Sequence, residues 1–336
     1  MKKIFISLVA VAAIAACSKS EVAYEQPQEI GFAVVKDNVT KAKGMEGTLA
    51  TSQELGIWSY WDAAATAGSV TDFSTYSDNY LVNALFAHNG SSWAGSPTGY
   101  PWPVNGALVF AGYTTPGDAV LPVYADGATT TAVSYNLATD VMKFHNYENT
   151  SEFDLCWFGR TKSSYNYRAE GTAVEVELNH ALTWVSVAVY GESATVGNWT
   201  ITGITLKSVP NKGTATCTGS KATWETSASA DLTAFSGTHK LTSGTITGDK
   251  TVGVKLTDNV IIPTTPVELT VTYKFLVNGV EKTDSKTVSL KLNENNTTKW
   301  ESGVHYTYTL AFKANEILVA PSYGTWATAD QSVTVE

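Results

Sequence analysis

Glu175 and Glu177 are the first residues whose type and spacing could do chemistry. Two positions apart on a strand, their carboxylates share one face at roughly 7 Å by strand rise, a separation that overlaps the acid pairs of inverting glycosidases. The flanking Val174, Val176 and Leu178 take the opposite parity. That pattern makes the glutamates the solvated side of a half-buried strand, not an acid–base pair. Cys156 and Cys217 can pair if the chain folds in an oxidising compartment, or each can remain a small buried thiol. For Cys156, inside Phe153-Asp154-Leu155-Cys156-Trp157-Phe158, the buried thiol is the commoner outcome. None of the five histidines, His88, His145, His180, His239 and His305, stands at metal-ligand spacing from another ligand type. There is also no Gly-x-Ser-x-Gly elbow and no phosphate loop. The expectation is a protein with no catalytic residues, no metal and no cofactor.

Aromatic residues supply the remaining ligand chemistry. Trp58, Tyr60 and Trp61, with Tyr100 and Trp102, can stack on sugar rings where they are exposed. In a β-sandwich most such rings are core, so glycan contact at Trp58, Trp61 and Trp102 is the second reading. Nucleic acid is excluded as a partner: net charge is −9 and no basic cluster is interleaved with aromatics.

A modification site stands at the start. Met1-Lys2-Lys3 and the apolar run Ile4 to Ala16 have the form of a secretory signal, too short to span as a mature helix. Ile14-Ala15-Ala16-Cys17 resembles the bacterial lipobox, in which the cysteine sulfur carries diacylglycerol. Residues 1–17 are therefore expected to be a lipoprotein signal peptide ending at lipidated Cys17, and the lipid to be the membrane attachment. A polar spacer with Pro27 follows.

These residues must be positioned by strands. Only 16% of the 336 residues are charged and 11% are aromatic, and Thr, Val, Tyr and Trp are abundant. That composition favours an all-β or nearly all-β fold with few short helices. Ile30, Phe32 and Val34 alternate with Gly31 and Ala33, so residues 30–35 read as a strand with one buried face. Just beyond it lie Lys36, Lys41, Ala42 and Lys43, a basic cleavage region. Further strands are expected at 55–61, 108–113, 153–158, 174–178, 182–190, 199–209, 215–217, 252–256, 267–277, 286–292 and 304–312. Residues 63–79 read as a long loop or a single helical turn. In 327–336 the odd positions are Ala327, Ala329, Gln331, Val333 and Val335, and the even ones are polar. Such a strand can pair in its own sheet or with the open edge of another subunit. The polar, turn-forming stretch 159–171 divides the chain, giving a tether and first strand at 18–44 and antiparallel sandwich domains at 45–171 and 172–336.

Several of these segments together resemble the fimbrillin-like family, the type V pilin precursors of Gram-negative anaerobes. They are the lipobox, the strand 30–35 with Thr40-Lys41-Ala42, Tyr100-Pro101-Trp102 with Leu108 to Tyr113, Leu178 to Trp184, Ile261-Ile262-Pro263 before Leu269 to Tyr273, and Trp300 to Leu310. His180 and His305 fall inside these motifs, as structural residues. The resemblance implies two transthyretin-like β-sandwich domains, export as a lipoprotein to the outer membrane and cell surface, and removal of the leader by a trypsin-like protease. Cleavage between Lys41 and Ala42 would carry away the strand of Ile30, Phe32 and Val34 and open a groove for a strand of the next subunit. Family members usually have Arg where this chain has Lys41, so Lys43 and Lys36 are alternatives. The expected function is a structural pilin subunit of a surface filament, with other pilin subunits as partners, supporting adhesion or biofilm formation. The alternative is a non-polymerising surface lipoprotein or tip adhesin that binds host or dietary glycans.

Overall fold

The alternation at Ile30, Phe32 and Val34 forms a strand, and the rest of the described chain is built the same way. A computed structural model describes residues 28–36, 53–115, 133–149, 153–166, 173–191, 199–241, 253–291, 299–312 and 317–325. Among them are twenty strands and no helix, so the few short helices expected from the sequence do not occur in the described residues. The strands of the first half are β1 (Gly31–Lys36), β2 (Glu54–Asp62), β3 (Gly68–Ser69), β4 (Asp78–His88), β5 (Trp93–Gly95), β6 (Ala107–Thr115), β7 (Val133–Asn136), β8 (Val141–Glu148), β9 (Cys156–Phe158) and β10 (Ser163–Ser164). Those of the second half are β11 (Val174–Glu177), β12 (Asn179–His180), β13 (Thr183–Gly191), β14 (Thr200–Thr218), β15 (Lys221–Lys240), β16 (Val254–Ile261), β17 (Glu268–Val277), β18 (Val280–Ser289), β19 (Val304–Phe312) and β20 (Ile317–Thr325).

The first large sheet has eight strands in the order β11-β1-β5-β4-β2-β6-β9-β12. Its two end strands are separated in the chain by Leu178 alone, so one extended segment, 174–180, borders both ends and the sheet curls into a barrel-like wall. Ile30, Phe32, Leu55, Ile57, Phe86, Phe110, Val174, Val176 and Leu178 fill its interior. The rest of the chain makes a four-stranded sheet, β16-β13-β19-β20, and a six-stranded sheet in which β18-β17-β14-β8-β7 are neighbours and β15 pairs with β14. A second core includes Val185, Ile201, Leu206, Leu269, Tyr308 and Phe312.

A third core explains why β6 does not alternate. All nine of its residues are buried. Leu108 and Phe110 face the barrel interior, whereas Ala111 and Tyr113 join Trp58, Phe144, Trp157, Leu182, Trp184 and Cys217 in a layer outside it. A strand covered on both faces reads as a continuous apolar run.

The strands also cross the 171/172 line. β11 and β12 follow it and complete the first sheet, while β7 and β8 precede it and extend the six-stranded sheet through β8–β14 pairing. The stretches 199–209 and 215–217 are one strand, β14. No helix in the described residues is long and apolar enough to cross a membrane.

Candidate functional site

The candidate site is the slot that β1 fills. β1 runs antiparallel to β5, with Gly31 opposite Ala94 and Phe32 opposite Trp93. On its other edge it runs parallel to β11, with Phe32 beside Val174, Ala33 beside Glu175 and Val34 beside Val176. Before the strand begins, the Trp102 N–H donates to the Gln28 carbonyl (2.9 Å) and the Ile30 N–H to the Tyr100 carbonyl (2.8 Å). Both backbone edges of this segment are thus engaged, and taking it away would leave donors and acceptors of β5 and β11 without their protein partners.

Its side chains are equally embedded. Ile30 and Phe32 are fully buried, and Val34 is partly buried against the same core. The Phe32 ring stands edge-on to Phe86 at 4.9 Å and to Phe110 at 5.2 Å, each with planes 88° apart. Burying Ile30 and Phe32 stabilises the closed barrel by roughly 1.5–3 kcal/mol for each side chain. The slot thus has two hydrogen-bonding walls, β5 and β11, and an aromatic floor of Phe86 and Phe110.

The residues singled out in the sequence are distributed unevenly about this groove. Cys17, Lys41, Ala42, Lys43, Val333 and Val335 lie outside the described residues, and Lys36 is the last residue of β1. Glu175 and Glu177 point outward from β11 while Val174 and Val176 point in. They line an open cleft with Arg160, Lys162 and Asn179. Trp58 and Trp102 are buried, which corrects the reading of them as sugar contacts: a ring in the core has no face to offer. Trp58 is turned inward because it packs in the layer between the sheets against Tyr113. Trp61 is half-buried, and its indole N–H donates to the Asn105 carbonyl at 3.0 Å. Tyr60, also half-buried, lines a different cleft with Asp72, Phe73, Tyr76 and Arg160, whose guanidinium lies 4.0 Å from the Phe73 ring centre. Phe73 and Tyr76 carried no sequence signal, because they sit in a polar loop without periodicity.

Cys156 and Cys217 are free and buried, so no disulfide joins them. Cys156 instead meets His180 and Asp154, a cluster invisible as sequence spacing because strand pairing assembles it. His180 Nδ1 lies 2.8 Å from Asp154 Oδ2 and 3.5 Å from Cys156 Sγ. The carboxylate and the thiol converge on the same ring nitrogen. Burial and the adjacent Asp154 push the Cys156 thiol well above its ordinary pKa, which keeps it a protonated partner in the cluster. The cluster is a hydrogen-bonded seam that fastens β12 to β9 where the barrel closes. His305 is stacked on Trp184 and its Nε2 lies 2.8 Å from Ser186 Oγ, again a structural setting.

A family model described as fimbrillin-like matches residues 40–326. A fimbrial protein from Bacteroides vulgatus is similar in structure, with a TM-score of 0.55 and 16% identity over 89% of this chain and 99% of that one. A protein from Bacteroides uniformis, described as a candidate cell adhesion protein, has a TM-score of 0.52 and 13% identity over 89% of this chain and 99% of its own. No curated protein matches the chain.

Proposed function

The chain belongs to the fimbrillin-like family, and from that premise we propose that it is a pilin subunit of a cell-surface filament, assembled by exchanging β1 for a strand of another subunit. In this reading the precursor is exported as a lipoprotein through Cys17 and carried to the outer membrane. A trypsin-like protease then cuts between Lys41 and Ala42, or at Lys43 or Lys36, and releases the leader with β1. The observation that carries the reading is the placement of β1 as an inner strand between β5 and β11 with Phe32 at its core. Loss of such a strand exposes two backbone edges and an apolar trough, and a donor strand restores both. The segment of Val333 and Val335 is the donor to a neighbouring subunit. Because each subunit gives at one end and receives at the other, the contact does not close on itself and a filament results. Edman sequencing of the surface form tests this: a start at Ala42, or at Gly44 or Asp37 for the alternative cuts, is expected, with an SDS-resistant ladder in unheated samples. A monomer that retains lipidated Cys17 as its only N-terminus contradicts it.

A second reading, a surface adhesin that binds glycans, is favoured by one feature. The cleft of Tyr60, Phe73, Asp72 and Arg160 offers partly exposed rings beside polar hydrogen-bonding groups, the combination sugars need. A glycan array read with the protein and with Tyr60→Ala tests it; absence of binding to any glycan removes it.

A further inference from the structure

The shape beneath β1 sets a requirement on whatever replaces it. We infer that the groove selects a donor strand bearing an aromatic side chain at the level of Phe32, supplied by a different subunit, and discriminates against the chain's own 327–336 segment. The inference rests on the strand-exchange reading and adds the identity class of the partner.

The groove is graded along its length. Ile30 and Phe32 are fully buried and Val34 is only partly so, which gives a template of β-branched, aromatic and β-branched residues at alternate positions. The middle level is the most demanding. Phe86 and Phe110 both present to the Phe32 ring in edge-on geometry, and Phe110 is itself held edge-on by Trp102 at 5.9 Å. A ring at that level satisfies both neighbours; a smaller side chain leaves a void between walls fixed by the barrel.

The 327–336 segment cannot meet that template. Its apolar parity carries Ala327, Ala329, Gln331, Val333 and Val335, with no aromatic residue. Trp326 falls on the opposite, polar parity. Whichever direction the strand runs, the level of Phe32 receives valine at best. If Val333 takes that level in the direction of β1, Gln331 falls at the fully buried level of Ile30, where an amide finds apolar surroundings. The donor that fits this groove has the pattern of β1 itself, and the residue pattern of 327–336 suits a shallower groove.

The test is competitive displacement on the full chain after limited trypsin cleavage between Lys36 and Lys43, which cuts the covalent link between β1 and the barrel. Four synthetic peptides are compared: residues 28–36, residues 325–336, and residues 325–336 carrying Val333→Phe or Val335→Phe. Release of the β1 fragment is read by mass spectrometry. The 28–36 peptide and at least one Phe-bearing peptide are expected to displace β1 at a concentration at least tenfold below that of the native 325–336 peptide. Equal displacement by the native and both Phe-bearing peptides overturns the inference while leaving strand exchange intact. If the 28–36 peptide itself fails to exchange, the strand-exchange reading falls and this inference with it.

Discussion

The ring of Phe32 meets that of Phe86 edge-on, 4.9 Å between centroids and 88° between planes, and this contact ties β1 to β4, two strands along the barrel wall. Phe32→Ala therefore removes a fully buried ring from between two aromatic neighbours in the uncleaved chain. Loss of about 3–5 kcal/mol is expected from the transfer and cavity contributions together. Urea unfolding monitored by tryptophan fluorescence measures it. The same substitution should leave the cleaved form, from which β1 has been removed, unchanged.

How much of this was readable beforehand depends on the strand. β1, β13 and β19 have apolar residues in runs or alternation that a sequence reader meets directly, and each lies where expected. β15 is not legible in the sequence, because its side chains are almost all polar or small and mostly exposed and no apolar period marks its twenty residues. β8 alternates at Met142 and Phe144, but the left-handed backbone at Asn146 shifts the period before Tyr147. The groove's apolar residues were legible in Ile30, Phe32 and Val34. Its two walls were not, because β5 is three residues long and the parallel partner β11 lies far along the chain. The burial of Trp58 and Trp102 escaped for a related reason: it arises from packing between sheets and across the barrel that no single strand's pattern reveals.

The His180–Asp154 contact predicts a cooperative seam. His180→Gln and Asp154→Ala each remove one side of a fully buried hydrogen bond and are expected to cost about 1–3 kcal/mol. A double-mutant cycle by chemical denaturation should show a coupling of about 0.5–3 kcal/mol, because the two residues share one interaction. Strict additivity would contradict the seam.

His305 predicts an acid-sensitive fold. Burial against Trp184 lowers its pKa from the ordinary 6.5 to about 4, with Asp258 opposing and Lys255 reinforcing the shift. Ser186 and Thr307 complete its surroundings. Since the unfolded chain takes up the proton first, stability is fully present above about pH 6.5 and declines as pH falls toward 4. The loss is at most about 3 kcal/mol. Thermal unfolding of the native chain and of His305→Gln across that range measures it; the variant should lose most of the slope.

The two buried thiols predict chemical silence. Burial pushes both Cys156 and Cys217 above the ordinary thiol range, so the reactive thiolate is suppressed. Neither should label with a maleimide in the native state, and both should do so in denaturant. Labelling of native Cys217 would show that the core layer opens.

In the proposed assembly, β1 leaves its slot before subunits join. Gly31 and Ala94 face each other across the antiparallel β1–β5 pair, an arrangement that places Cβ atoms about 4.5–5.5 Å apart. A Cβ at Gly31 meets its nearest neighbour at 3.5 Å, so the position accepts a side chain without a clash. The direct test is the SDS-resistant ladder formed on cells that carry the Gly31→Cys, Ala94→Cys double variant together with the other subunits, oxidised and reduced. The oxidised variant should be cleaved by the protease yet keep its leader and form no ladder, and reduction should restore the ladder. A full ladder with the engineered β1–β5 cross-link intact would contradict strand exchange at this groove.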